Sequence, residues 1–192
     1  RIIYKGDIVW IEDGWELCKD VVVENCEFEG NGRDVIVAGS RNLEFKNNVF
    51  RAWVNIGNRV EGLKFNNNVF DVSAENHKST NDRFVVEVHK DDVEICDNVF
   101  KRARVQLHSD DYAKDGNAKI VMKRNIFEDT PITAMDKLFV CEEAIIKGKP
   151  ERLVGQYKAC EFYFDEVDAC GMNVKESRLH DISRCKFQQP NV

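Results

Sequence analysis

The chain has 192 residues, of which 43% are hydrophobic, enough to form the core of one domain. Its formal net charge of -6 argues against nucleic acid as the main partner, because phosphate binding needs a dense basic face. No run of residues approaches the roughly 18 consecutive apolar side chains of a membrane-spanning helix, so we expect no membrane partner.

The first residues and the cysteines do not indicate the cellular compartment of the protein. The opening RIIYKGDIVW contains neither Met nor a signal peptide, so it indicates no location. The cysteines are odd in number and form no CxxC pair, and they are Cys18, Cys26, Cys96, Cys141, Cys160, Cys170 and Cys185. We expect most to be reduced thiols that serve as small apolar residues, which is compatible with an intracellular protein. The alternative is one or two disulfides in an exported protein.

A short pattern recurs seven times along the chain. Each copy ends in Phe, at positions 28, 50, 70, 100, 127, 162 and 187. Two positions earlier stands Cys26, Asn48, Asn68, Asn98, Asn125, Cys160 or Cys185. Five positions before the Phe stands an apolar residue: Val23, Phe45, Phe65, Ile95, Met122, Tyr157 or Ile182. Agreement at three positions indicates a repeat architecture.

Each copy predicts two short strands with a bend between them. In NLEFKNNVFR, Leu43 and Phe45 alternate with polar residues, and the alternation resumes at Phe50 after Asn48. A period of two is typical of a strand with one buried face. We expect the Asn or Cys to occupy the bend, because Asn tolerates left-handed backbone geometry. Stacked asparagines could then hydrogen-bond to one another along the axis.

A third strand follows in several copies after a loop of variable length: VIV at 35–37, VNI at 54–56, VEV at 86–88 and VQL at 105–107. Repeats of at least twenty residues that bury one face predict an all-β solenoid with parallel strand pairing. The alternative is a sandwich of seven hairpins, which should show tight Asn-Gly or Asp-Gly turns. The nearest candidate, DGN at 115–117, lies in a long loop.

We expect a single domain over 1–192 with an irregular insertion around 128–156. The period of that segment is ambiguous between one short helix and two strands. The sequence shows no helix that would cap an open end of the stack, so we expect either a segment of a longer solenoid or an end covered by another subunit.

The repeated motif I/L/F-x-F/I-x-N-N-x-F resembles the right-handed parallel β-helix repeats of the pectate-lyase-like superfamily. The resemblance extends from Val21 to Phe187. It implies a single-stranded right-handed parallel β-helix of about seven coils, and it favours an extracellular or cell-surface location. The superfamily contains polysaccharide lyases, glycoside hydrolases, epimerases, esterases, tailspikes and non-catalytic adhesin segments, so the activity must be argued from a site.

A register for the third strands predicts one polar patch. We set Val37, Ile56, Val88 and Leu107 at equivalent inward positions. This register pairs Glu87 with Gln106, and His89 with His108. The predicted catalytic residues are Glu87, His89, Arg104 and His108, and the predicted substrate-binding residues are Trp53, Lys90, Gln106, Asp110 and Asp111. In enzymes that resemble this fold, the substrate groove runs across this strand and its loops.

The chemistry of the patch suits an acidic polysaccharide. Two stacked imidazoles disfavour each other's protonation while Glu87 favours it, which leaves one histidine as a general base. Arg104 would neutralise a uronate carboxylate, and Trp53 offers an apolar face to a sugar ring. The patch therefore predicts a polysaccharide lyase, or a glycoside hydrolase with Glu87 and Asp110 as the carboxylate pair.

Two alternatives remain for this patch. The same residues could form a solvated face, with Glu87 and Arg104 as a cross-strand ion pair, in a non-catalytic carbohydrate-binding or structural module such as a tailspike or adhesin segment. We expect no cofactor. A divalent metal held by His89 and His108 with Glu87 or Asp110 is the weaker alternative.

The residues immediately before each Phe form a second outward row. Its four middle members are β-branched, namely Val49, Val69, Val99 and Ile126, whereas Glu27 precedes them and Glu161 and Lys186 follow them. A contiguous apolar stripe suggests an interface with another copy or beneath a covering loop. The simpler explanation is that β-branched side chains suit strands.

Overall fold

A computed structural model describes residues 2–5, 9–11, 18–37, 40–56, 61–71, 83–88, 93–109, 120–130, 132–134, 139–147, 154–163, 178–183 and 186–188. These residues form strands and contain no helix. The protein is therefore all-β over the part of the chain that the structure describes. In chain order the strands are β1 (Ile2–Lys5), β2 (Val9–Ile11), β3 (Cys18–Lys19), β4 (Val22–Glu24), β5 (Cys26–Val37), β6 (Ser40–Arg41), β7 (Glu44–Lys46), β8 (Val49–Ile56), β9 (Lys64–Asn66), β10 (Val69–Asp71), β11 (Arg83–Val88), β12 (Val93–Cys96), β13 (Val99–Lys101), β14 (Arg104–Ser109), β15 (Ile120–Lys123), β16 (Ile126–Glu128), β17 (Ile132–Ala134), β18 (Phe139–Glu142), β19 (Ile145–Lys147), β20 (Val154–Lys158), β21 (Glu161–Tyr163), β22 (Arg178–Ser183) and β23 (Lys186–Gln188).

The strands form two large parallel sheets and one small one. The first sheet has 13 strands, the second has 8, and β3 pairs with β6 alone. The 13-stranded sheet branches at β8, which pairs with β10 through Val49 and Phe50 and with β11 through Val54 to Ile56. One branch continues through β13, β16, β19, β21 and β23, and the other through β14 and β17.

Parallel pairing between successive repeats is the pattern expected of a β-solenoid. Among the described strands, every named pairing is parallel and joins a strand to its counterpart in a neighbouring repeat, as β7 joins β9 and β9 joins β12. A sandwich of hairpins would need antiparallel pairing between consecutive strands, so that alternative is wrong for the described strands.

The repeated apolar positions form two continuous columns of paired residues. The first column joins Phe28, Phe50, Phe70, Phe100, Phe127, Ile146, Phe162 and Phe187. The second joins Val23, Phe45, Phe65, Ile95, Met122, Cys141, Tyr157 and Ile182. The repeat alignment is therefore confirmed at both positions.

Aromatic rings stack on one another in part of the first column. The rings of Phe28 and Phe50 lie 4.7 Å apart with planes 4° from parallel, and those of Phe100 and Phe127 lie 5.2 Å apart at 6°. Phe50 and Phe70 are also stacked, with planes 26° apart, whereas Phe70 and Phe100 tilt by 38°. Phe84 of β11 packs at 4.8 Å from Phe65 and 5.1 Å from Phe100. All these rings are buried, so the stack forms the centre of the core.

The predicted asparagine ladder is also confirmed. The backbone N–H and Nδ2 of Asn48 both donate to Oδ1 of Asn68, at 2.9 and 3.0 Å. Asn68 donates in the same way to Asn98, and Asn98 to Asn125. Each Nδ2 also donates to a backbone carbonyl of the preceding repeat, as that of Asn98 does to Phe65 at 2.7 Å. Buried amides are thereby satisfied without water.

The bend residue differs from the prediction by one position. The left-handed φ angles belong to the residue before the ladder asparagine, such as Asn47 at 56° and Asp97 at 60°. That residue is exposed at Asn47, whereas Asn48 is buried. The prediction that the ladder position itself holds the left-handed geometry is wrong, because its side chain must point inward to bond its neighbours.

Segment 128–156, expected to be irregular, contains a further repeat. Strand β18 pairs with β15, placing Cys141 beside Met122, and β19 pairs with β16, placing Ile146 beside Phe127. The sequence alignment missed this copy because Ala144 and Ile146 replace the usual Asn and Phe.

Four of the described cysteines form no disulfide. Cys141 and Cys160 are buried, and Cys26 and Cys96 are partly exposed. Cys160 lies at the ladder position of its repeat, where its Sγ contacts the carbonyl oxygen of Cys141 at 3.4 Å. The expectation of small apolar thiols is confirmed at Cys141 and Cys160.

The predicted register of the third strands is wrong by two residues on β11. Val37 does pair with Ile56, but Ile56 pairs with Val86 rather than Val88, and Val86 pairs with Leu107. A shift of two residues leaves the same faces inward, so the hydrophobic alternation alone cannot detect it.

Candidate functional site

The candidate site lies on the branch of the 13-stranded sheet that contains β8, β11, β14 and β17. Alternate residues of these strands are buried: Val54, Ile56, Phe84, Val86, Val105, Leu107 and Ile132. The buried positions pair with one another, so the intervening positions also fall into columns across the branch.

Three columns of intervening positions define the site. In the first, Arg83 of β11 pairs with Arg104 of β14. In the second, Val85 pairs with Asn55 on one side and Gln106 on the other, and Gln106 pairs with Thr133. In the third, Glu87 pairs with His108.

The corrected register brings some of the predicted site residues together. Glu87 and His108 occupy paired positions, about 4.8 Å apart at their Cα atoms by the ordinary strand spacing. Arg104 and Gln106 precede His108 on β14, and both are partly exposed. The predicted pairing of His89 with His108 is wrong, because Glu87 occupies that position.

Trp53 lies on β8, the strand beside β11, one position before Val54, which pairs with Phe84. Trp53 itself pairs with Asp34 of β5. The remaining predicted site residues fall outside the described residues: His89, Lys90, Asp110 and Asp111. The catalytic and substrate-binding roles given to all of these residues remain predictions.

Arg83 is a candidate that the sequence analysis missed. Like charges at paired positions on neighbouring strands repel, so an Arg pair is expensive unless an anion lies near it. The signal was present in RFVVEV, where Arg83 stands at the same alternation as Arg104 in RVQLHS. The two-residue register error placed Val85 opposite Arg104 and so hid the pairing.

The described residues with shifted pKa values lie on the 8-stranded sheet and the bend beside it. A side-chain hydrogen bond from Arg124 lowers the pKa of Asp97 and raises that of Arg124. Hydrogen bonds to glutamates raise the pKa of Lys46 and of Lys123. Burial raises the pKa of the Cys96 thiol. These shifts arise from cross-strand ion pairs and burial, and they indicate no acid-base centre.

Metal ligands do not gather within the described part of the chain. No three residues among its His, Cys, Asp and Glu lie close enough together to hold a metal ion. The same residues include no helix that is long and apolar enough to cross a membrane.

The fold defines the class of this protein as all-β with parallel sheets, consistent with a parallel β-solenoid. Comparison of the chain with protein-family models, with curated proteins and with solved structures finds no match. The case for a function therefore depends on the residues of the branch itself.

Proposed function

We propose that the chain is a right-handed parallel β-helix of about eight coils, similar to the pectate-lyase-like superfamily, which binds and cleaves an acidic polysaccharide. The proposed site is the face formed by β8, β11 and β14. The observation that carries the proposal is the pairing of Glu87 with His108 on strands that also pair Arg83 with Arg104. An acid-base pair and a paired cationic anchor on one face suit a polymer of uronate units.

The acid-base step belongs to His108 and Glu87. His108 takes the proton alpha to the uronate carboxylate, and Glu87 orients the imidazole and stabilises its protonated form. The bond between the adjacent carbon and its glycosidic oxygen then breaks, the oxygen takes up the proton that His108 holds, and a carbon–carbon double bond forms in the new non-reducing end. The reaction is a β-elimination, and we propose that it requires no cofactor.

The arginines act as a carboxylate anchor rather than at the reacting carbon. Arg104 precedes His108 by four residues, so their Cα atoms lie about 13 Å apart along an extended strand. That separation suits a contact with a neighbouring uronate unit of the same polymer. Binding energy from a remote unit positions the reacting one, so loss of this anchor should weaken binding as well as turnover.

Incubation with a panel of polyuronates tests the proposal through the absorbance of the unsaturated uronate product. We expect product from at least one polymer, with and without a chelator. His108→Gln should lower kcat at least about 100-fold, and Arg104→Gln should mainly raise KM. Lys64→Gln on the 8-stranded sheet is the matched control and should change neither value. Product formation that survives Glu87→Gln with His108→Gln would exclude these residues as the catalytic pair.

A non-catalytic carbohydrate-binding or structural module is the second candidate, and the ion pairs of the outer faces favour it. Lys123 and Lys158 both approach Glu142, at 3.1 and 3.9 Å, and Arg124 binds Asp97 at 2.7 Å. Oppositely charged side chains of neighbouring repeats therefore pair with each other, which stabilises the surface without a bound ligand. Binding of a polyuronate that Arg104→Gln abolishes, with neither unsaturated product nor new reducing ends, would select this candidate.

A further inference from the structure

The other branch of the 13-stranded sheet carries a continuous apolar row on its outer face. The row joins Val49, Val69, Val99, Ile126 and Ile145, which pair in this order from strand to strand. Each member is partly exposed, between a buried ladder position and a buried residue of the first column. The 8-stranded sheet has no equivalent, because Glu44, Lys64 and Glu94 interrupt its outward row.

A charge row runs beside the apolar row, two residues further along each strand. Its members are Glu29, Arg51, Asp71, Lys101, Glu128 and Lys147. The signs alternate along the whole row. Two contacts within it are long: Glu128 lies 3.7 Å from Lys101 and 3.6 Å from Lys147. Arg51 is ion-paired with Glu27 of its own chain. The side chains of Lys101, Glu128 and Lys147 remain 35% to 48% exposed. They therefore retain surface for charges on another molecule.

The charge row is complementary to its own reverse. When a six-member row of alternating sign is turned end to end and laid on itself, every charge meets one of opposite sign. A twofold axis parallel to the strands, between Asp71 and Lys101, performs this reversal. Asp71 then faces the second copy's Lys101, Arg51 faces its Glu128, and Glu29 faces its Lys147. A twofold axis along the stacking direction would instead place like charges opposite each other.

The same operation also aligns four members of the apolar row, whereas Ile145 faces the second copy's Glu27. Val69 faces the second copy's Val99, and Val49 faces its Ile126. We infer that two copies of this chain pack face to face through the branch that contains β10, β13, β16 and β19. Burial of the apolar row supplies affinity, and the charge row fixes the antiparallel orientation. This is the self-complementary interface of a twofold dimer, and it lies on the branch opposite the proposed polysaccharide site.

Charge reversal tested by sedimentation equilibrium decides between this dimer and a solvated face. The wild-type chain should be dimeric. Asp71→Lys and Lys101→Asp should each weaken the homodimer at least tenfold, because each places like charges across the axis. An equimolar mixture of the two variants should regain wild-type affinity, since the mixed dimer restores both cross-axis pairs. Lys64→Asp on the 8-stranded sheet should leave the dimer unchanged.

Recovery on mixing separates an effect between copies from an effect within one chain. If the variants fail to fold, Val99→Thr provides a second route, because it keeps the branched shape and removes apolar surface, and it should weaken the dimer. A wild-type chain that stays monomeric at all concentrations would overturn the inference. A dimer that the two charge reversals leave intact, or weaken without recovery on mixing, would also overturn it. Polysaccharide cleavage by a monomeric chain would leave the proposed function standing.

Discussion

At the scale of the residue, left-handed backbone geometry recurs immediately before the ladder position of the repeats, and it also occurs at Asp20, Asn42, Gly62, Arg102 and Asp129. Before the ladder position the φ angles lie between 53° and 60°, at Asn47, Asn67, Asp97, Arg124, Glu143 and Ala159. Asn and Asp adopt this geometry at low cost, whereas other side chains with a Cβ are strained by about 1–2 kcal/mol. The sequence predicted a left-handed bend but placed it one residue late. Two adjacent asparagines in Asn47–Asn48 and Asn67–Asn68 look alike, and only the structure shows which of them points inward.

Ala159→Gly should raise the free energy of unfolding by about 1 kcal/mol, because Ala159 has a φ of 53° and Gly removes the strain of its Cβ. The converse change, Gly62→Ala, should lower it, since Gly62 has a φ of 65° and a Cβ there would meet Asn42 Oδ1 at 3.0 Å. Urea denaturation measures both. Destabilisation by Ala159→Gly would show that the bend is not left-handed in solution.

The Asp97–Arg124 pair should contribute a pH-dependent part of the stability. Arg124 donates two hydrogen bonds of 2.7 Å to the Asp97 carboxylate, which lowers its pKa in the folded state. The stabilisation is therefore complete above the unfolded pKa of about 3.9 and is lost as the pH falls through the lower folded value. Wild type should be more stable than Asp97→Asn at neutral pH. A difference that stays constant in denaturation titrations down to acid pH would contradict this assignment.

At the scale of the element, the asparagine ladder joins the strands of one repeat to the next. Asn98→Ala should lower the free energy of unfolding by ~3 kcal/mol, because it leaves the buried Asn68 N–H and the Phe65 carbonyl without their partners. Asn67→Gly is the control, because Asn67 is exposed and stands immediately before the ladder residue Asn68. This change should lower the free energy of unfolding much less. Equal effects of the two changes would show that the ladder adds nothing beyond the bend.

The ladder stops at Ala144, which is buried at the next equivalent position. Ala144→Asn should raise the free energy of unfolding by about 1 kcal/mol, since a new Oδ1 would accept from Asn125 as Asn125 accepts from Asn98. Ala144→Leu adds similar volume without polar atoms and should destabilise. Thermal denaturation of both variants separates the hydrogen bonds from the added volume, and destabilisation by Asn as great as by Leu would contradict the expectation.

Sequence patterns predicted which residues of the strands are buried better than they predicted which residues of neighbouring strands pair. The columns of Phe28 and Val23 follow directly from residues that must pack against their own copies. The register of β11 did not, because residues 72–82 before it show no apolar alternation that would fix it, and a slip of two residues conserves the buried face. That slip changed the candidate site most, since it paired Glu87 with His108 and revealed Arg83.

At the scale of the whole molecule, repeated residues form the core and residues that do not repeat form the candidate site. The repeated Phe and Asn positions build the buried interior, as in Phe70 and Asn68. The columns of the β11–β14 branch differ from strand to strand, as Arg83, Glu87 and His108 do, and this branch is where we propose that the polysaccharide binds. The repeat at β18 and β19 escaped detection because Ala144 and Ile146 changed both diagnostic residues at once. A β-solenoid tolerates such changes, since each repeat depends mainly on its two neighbours.

A crystal structure of the chain with a bound acidic oligosaccharide tests the central proposal most directly. We predict a sugar chain that runs along β11 and β14, with one uronate carboxylate hydrogen-bonded to Arg104 and another unit of the same chain beside Glu87 and His108. An oligosaccharide bound on the branch of β10, β13 and β16 instead, or a β11–β14 face that stays empty at saturating oligosaccharide, would contradict it.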